Sequence, residues 1–70
     1  MHKYVTIFIN GEPFNCNDSM SLANILVYLR INIDNVVIEY NNSILDRKKF
    51  DSVVFKNNDS IEIITIVGGG

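Results

Sequence analysis

One stretch of the chain, "SLANILVYLR", carries helical periodicity, and this single helix restricts the fold more than any other feature of the sequence. Leu22, Ile25, Leu26 and Leu29 recur at i, i+3, i+4 and i+7, which puts them along one face of a helix. Ser21 precedes them as an N-cap, because its side-chain oxygen can accept an amide proton that has no partner inside the helix. The helix is expected to end near Arg30, whose charge suits the negative pole of the helix dipole. Ala23, Asn24, Val27 and Tyr28, on the opposite face, are less polar than usual. One short helix can cover one face of a small sheet and no more.

The remaining segments are predicted to be strands. From Lys3 to Ile9, Val5, Ile7 and Ile9 alternate with Tyr4, Thr6 and Phe8, a period of two built from β-branched and aromatic residues. Asn10-Gly11 follows, a strong hairpin signal because both residues tolerate positive φ. Glu12 to Cys16 return as a second strand, with Pro13 placing it at a sheet edge. "NDSMS" is a turn-rich link to the helix. "NVVIEY" predicts a third strand and Asn41-Asn42 a tight turn. Asp46 to Phe50 is expected to form a brief 3₁₀ or helical turn with Phe50 plugging the core, "SVVF" a short strand, "KNND" a turn, and Ser60 to Val67 the last strand.

The order is therefore β-β-α-β-(β)-β, an α+β domain. If the first and last strands lie side by side, they run parallel in the middle of the sheet. That arrangement is a β-grasp, or ubiquitin-like, roll: a mixed four- to five-stranded sheet with one main helix across one face. The expected organisation is a domain over 1–67 and a flexible glycine tail over 68–70.

Composition removes several classes of function. A chain of 70 residues makes one domain and buries only about 60% of its unfolded surface. Cys16 is the single cysteine, so no internal disulfide can form. It is expected to act as a small buried hydrophobe, with a thiol that bonds a partner as the other reading. His2 is the only histidine, at the N-terminus, and no metal-ligand cluster accompanies it. The apolar runs fall well short of the roughly 20 residues that span a bilayer. Net charge is −2 with no Lys/Arg patch, which argues against nucleic acid. "MHKYVTIFIN" enters a strand pattern at once with no leader-like segment. The expected location is the cytoplasm, or an organelle stroma if the chain is organelle-encoded; the abundance of Ile and Asn fits an AT-rich genome. No paired carboxylates and no nucleophile–base pair are evident, so no catalytic residue is assigned.

The other sheet face is left uncovered by the helix. In "SIEIITIV", Ile61 and Ile63 share one side, and Glu62, Ile64 and Ile66 the other. With Phe8 and Tyr4 outward on the neighbouring first strand, an apolar partner-binding patch of Phe8, Glu62, Ile64 and Ile66 is expected beside the tail. A β-bulge that rotates Ile64 or Ile66 inward is the competing reading, and Glu62 serves equally as an interface contact or a solvated strand residue. Arg47 is expected to brace its own connection.

Gly68, Gly69 and Gly70 end the chain. Extended, they reach about 10 Å, and without β-carbons they can thread a channel too narrow for other residues. Such a tail presents only the Gly70 carboxylate, a poor electrophile that must be activated, for instance as an acyl-adenylate. A frayed terminus is the plainer reading. A phosphate-binding loop would need a following helix and a Lys-Ser/Thr pair, and a linker would need a second domain.

"NDSIEIITIVGGG" is a turn with Asp, then an apolar strand that runs straight into terminal glycines, and it resembles the ThiS family of thiamine-biosynthesis sulfur carriers. "VVIEYNNSILDRKKF" is similar to the family's central segment, with Asn41, Arg47 and Phe50 in the places of its turn Asn, Arg and aromatic. "INGEPF" fits the first hairpin. Asn42 departs from the pattern, since Gly is common there, but Asn also accepts positive φ. The resemblance implies that an adenylating enzyme related to ubiquitin-activating enzymes, using ATP, activates Gly70. Sulfur drawn from cysteine through a desulfurase would then give a thiocarboxylate that serves thiazole synthase. The carrier itself would be a co-substrate with no bound cofactor. The small sulfur-carrying subunit of molybdopterin synthase, a ubiquitin-like protein modifier, and an interaction module with an incidental tail remain open at this point.

Overall fold

Strand β1 (Tyr4–Ile9) and strand β2 (Glu12–Asn17) form an antiparallel hairpin in a computed structural model that describes residues 4–66. Asn10 and Gly11 join them with φ of 51° and 83°, the doubly left-handed geometry that matches the twist of a two-residue hairpin. Val5, Ile7 and Ile9 face inward, with Ile7 opposite Phe14 and Val5 opposite Cys16. Strand β2 is an outer strand, so Pro13 sits at an edge as expected.

Helix α1 (Leu22–Tyr28) starts at a reciprocal cap. The Asn24 amide donates to Ser21 Oγ (3.1 Å) and the Ser21 amide to Asn24 Oδ1 (3.0 Å). Asn24 thus fills the role usually taken by Glu or Gln in a capping box. Leu22, Ile25 and Leu26 are buried against the sheet. The helix ends near Arg30, as expected. Leu29 is the C-cap and Arg30 has φ 60°. The Arg30 amide donates to the Val27 carbonyl (3.0 Å) and the Ile31 amide to that of Leu26 (2.8 Å). This is a Schellman closure with arginine where glycine is usual. Ile31 gains by it, since it packs against the core.

A 3₁₀ turn at Ile33–Asn35, unmarked in the sequence pattern, leads into strand β3 (Val36–Tyr40). Asn41 and Asn42, at φ 49° and 72°, turn the chain into strand β4 (Ser43–Ile44). A second 3₁₀ turn at Arg47–Lys49 is capped by Asp46, and Phe50 behind it is buried. The Ala23 amide donates to the Phe50 carbonyl (3.2 Å), tying this turn to the start of α1.

"SVVF" is not a strand, a correction to the sequence pattern. Its burial does alternate: Val53 is half-buried, Val54 exposed and Phe55 buried. Alternation reports which side faces the core, however, and a strand also needs a partner. The sheet position beside β3 is occupied by β4.

Strand β5 (Ser60–Thr65) closes the sheet. The expectation extended it to Val67; the ladder ends at Thr65, and Val67 with the glycine tail lies outside the described residues. The strand order is β2-β1-β5-β3-β4. Strands β1 and β5 run parallel at the centre, and β5 is antiparallel to β3. Ile7, Leu22, Ile25, Leu26, Ile38 and Ile61 are fully enclosed between sheet and helix, each contributing roughly 1.5–3 kcal/mol through burial.

Candidate functional site

The site grows from β5, which has one face in the core and the other on the uncovered side of the sheet. Its register with β3 is continuous, from Tyr40 opposite Ile61 to Val36 opposite Thr65. No bulge interrupts it, so alternation carries through: Ile61 and Ile63 turn inward, Glu62 and Ile64 outward. Ile64 is 45% and Ile66 47% exposed. The Ile66 amide donates to the Asn35 carbonyl (2.7 Å), which keeps the chain beside β3 past the end of the strand.

The structure separates the residues that the pattern grouped. Phe8 stands opposite Ser60, not opposite Ile64. Four residues of strand, about 13 Å, divide those two positions. Tyr4 is 71% exposed but lies four residues further back along β1. What accompanies Ile64 is Val37, directly across on β3. The apolar surface at the exit is thus Val37, Ile64 and Ile66. Glu62 and Glu39 face each other next along the strands, and Ile44 sits across from Glu39. Two like charges directly opposite on a sheet are unfavourable, and both are outward. Val37 could have been found from the sequence, since Val36 and Ile38 in "NVVIEY" point inward and leave Val37 outward.

The entry to β5 is built differently. Asp59, just before it, is only 7% exposed. It accepts hydrogen bonds from the Tyr40 hydroxyl (2.5 Å), the Lys56 amide (2.8 Å) and Asn41 Nδ2 (3.2 Å). Burial pushes the carboxyl up, but those donors, with the Lys56 charge, outweigh it and leave its pKa below the ordinary value. Tyr40 is pushed up to about 12 by burial first, then by its hydrogen bond to Asp59 and the charge of that carboxylate. Cys16 is also raised, by burial and then by Asp59. A buried, protonated thiol is a poor nucleophile. Arg47 pairs with Asp34 at 3.0 Å on the surface, which ties its turn to the 3₁₀ turn before β3 and not to its own connection.

Two turn asparagines grip β5 with their side chains. Asn41 Oδ1 accepts the Ser60 amide at 2.8 Å. Asn10 Oδ1 accepts the Ile63 amide at 2.7 Å, and its Nδ2 donates to the Ile63 carbonyl at 3.3 Å. Among the described residues no group of three His, Cys, Asp or Glu side chains could hold a metal ion, and no helix is long and apolar enough to cross a membrane.

The ThiS family model matches residues 7–70. The chain belongs to the ThiS family. Among its relatives is the uncharacterized protein ycf40 of Porphyra purpurea, 46% identical over 70 residues and aligned over all of this chain and 99% of that protein. A ycf40 protein of Pyropia yezoensis is 44% identical over the same length. A protein of Magnetococcus marinus named thiazole synthase is 33% identical over 64 residues, which are 91% of this chain but 20% of that longer protein. In three dimensions the chain is similar to the crystal structure of the thiamine biosynthesis protein ThiS from Geobacter metallireducens. The TM-score is 0.77 at 28% identity, over 94% of this chain and all of the other. The ThiS-family β-grasp is therefore the architecture on which the exposed end of β5 is mounted.

Proposed function

We propose that this ThiS-family chain is a sulfur carrier of thiamine biosynthesis, acting as a co-substrate and not as an enzyme. The observation that carries the reading is the family match, which runs through Gly70 and so takes in the glycine tail as well as the fold. A carboxylate must be activated before it can accept a nucleophile. In the proposed cycle an adenylating partner joins the Gly70 carboxylate to the α-phosphate of ATP and releases pyrophosphate. A persulfide formed by a cysteine desulfurase then displaces AMP to give an acyl disulfide. A thiol reductant cleaves its S–S bond, leaving a thiocarboxylate on Gly70 and restoring the thiol that bore the persulfide. Thiazole synthase is the proposed acceptor. A relative of that name carries a segment 33% identical to this chain within a polypeptide about five times as long, and this favours the thiazole branch over the molybdopterin one.

Docking is assigned to the uncovered sheet at the exit of β5. Ile64 and Ile66, with Val37, supply the apolar contact, Glu62 and Glu39 the charged one, and Gly68 and Gly69 the slim arm that delivers Gly70. Phe8 borders this surface from the Ser60 side. Partner side chains that are apolar with a cation alongside would fit it.

The test is mass spectrometry of the chain after incubation with its adenylating enzyme, ATP and a sulfur source. The expected result is one oxygen-to-sulfur exchange at Gly70. An unchanged mass, with the enzyme active on a control carrier, overturns the reading, and isopeptide adducts on lysines would identify a modifier instead. Removal of Gly69 and Gly70 is expected to abolish the exchange and leave the thermal midpoint in place.

A further inference from the structure

Strand β5 continues past the end of its parallel neighbour. The last backbone pair between β1 and β5 is Ile9 with Ile61, after which β1 turns away at Asn10-Gly11. The Asn10 amide still donates to the Ile61 carbonyl at 2.8 Å. In a parallel ladder the next bond would run from the Ile63 amide to the Asn10 carbonyl. At φ 51° the Asn10 backbone is already in the hairpin turn, and its side chain takes over. The carboxamide carries an acceptor and a donor in one plane, as a peptide group does. It meets both polar backbone atoms of Ile63, at 2.7 Å and 3.3 Å.

We infer that Asn10 is a positioning residue for sulfur-carrier chemistry: its carboxamide extends the parallel ladder by one step and sets the direction in which β5 delivers the tail. The inference rests on the proposed carrier function. On the β3 side, backbone bonds hold the chain as far as Ile66. On the β1 side, Asn10 supplies the last contact with β5. Without it the segment from Ile63 onward is held along one edge only, and a partner must order that segment when it binds. That cost falls on encounter and binding, not on the chemical step.

Asn41 provides the internal control. It is also a left-handed turn residue whose carboxamide reaches β5, but it acts at the entry, on Ser60 and Asp59. Asn10→Gly and Asn41→Gly both preserve positive φ. With wild-type chain and its adenylating enzyme, Asn10→Gly is expected to raise the KM for the carrier about tenfold, the scale of two lost hydrogen bonds, with kcat unchanged. Amide exchange is expected to quicken at Ile63 but not at Ile7 or Ile38. Asn41→Gly is expected to lower the thermal midpoint and leave the KM within twofold. Asn10→Asp keeps the acceptor and the turn, loses the donor at neutral pH, and is expected to fall between wild type and Asn10→Gly; it also covers the case in which the glycine variant does not fold. A wild-type KM in Asn10→Gly, or an equal rise in both glycine variants, overturns the positioning role alone. A wild-type chain that forms no adenylate overturns the carrier function, and the positioning role with it.

Discussion

The two ends of β5 are organised on opposite principles. At the entry, Asp59 is buried and its carboxylate is saturated by Tyr40, Lys56 and Asn41. At the exit, Ile64 and Ile66 are about half exposed, and the backbone is secured by Asn10 on one side and Asn35 on the other. The entry uses polar groups to specify one arrangement of the core, since a buried carboxylate with a missing donor is costly. The exit keeps its apolar side chains half in water, with its backbone bonded by a side chain on one edge and a carbonyl on the other. One strand thus links a buried polar network to a half-exposed apolar end.

The largest expected effect comes from breaking the entry. Asp59→Ala leaves the Tyr40 hydroxyl, the Lys56 amide and Asn41 Nδ2 without their acceptor. A loss of about 3 kcal/mol is expected in urea unfolding at neutral pH. A loss below about 1 kcal/mol would mean that water replaces the carboxylate freely and that the two ends differ less than described.

The same network sets the pH dependence. Asp59 has a lowered pKa in the folded state, so its contribution is complete above the unfolded value near 4 and is lost as pH falls through the folded one. Tyr40 is raised to about 12. Its contribution is complete below the unfolded value near 10 and is lost as pH rises from there through about 12. A stability plateau with shoulders at both extremes is expected in denaturant titrations. Tyr40→Phe should remove the alkaline shoulder, and a shoulder that persists in that variant would point to another group.

At the exit, Ile64→Thr with Ile66→Thr retains β-branching but removes apolar surface. Stability is expected to change by less than about 1 kcal/mol, while affinity for the adenylating partner falls about tenfold or more. Calorimetric titration with the partner checks this, and an unchanged Kd would move the docking surface elsewhere. The smallest effect is expected from Arg47→Ala. Arg47 braces Asp34, the neighbour of the Asn35 whose carbonyl holds Ile66. An exposed pair of this kind contributes at most about 1 kcal/mol and weakens with salt; a larger change in thermal midpoint would show that the brace matters more to the exit than its exposure implies.

Local features were legible wherever a few adjacent residues decide the geometry. Asn10-Gly11, the Ser21 cap, the inward stripe of α1, Phe50 in the core and the outward side of β5 all follow from short-range sterics or side-chain period. The misplacements arose where pairing partners are distant in sequence. "SVVF" has the alternation of a strand, but the sheet position beside β3 is taken by β4. The Phe8 and Ile64 surfaces were merged because alternation tells the face of a residue and not its height along a neighbouring strand. The charge of Arg30 marks the end of the helix, but its left-handed backbone, which brings Ile31 onto the core, is set by the chain beyond.

By itself the sequence determined the set of elements, their order, the faces they bury, and the ThiS resemblance carried by the hairpin, the central segment and the last strand with its glycines. The tertiary structure alone decided the register of β5 between β1 and β3. From that register came the pairing of Val37 with Ile64, the facing glutamates and the reach of Asn10 to Ile63, residues 53 apart in sequence. The physical reason is that turn sterics and side-chain period act over a few residues, while register is the joint outcome of every contact the core closes at once.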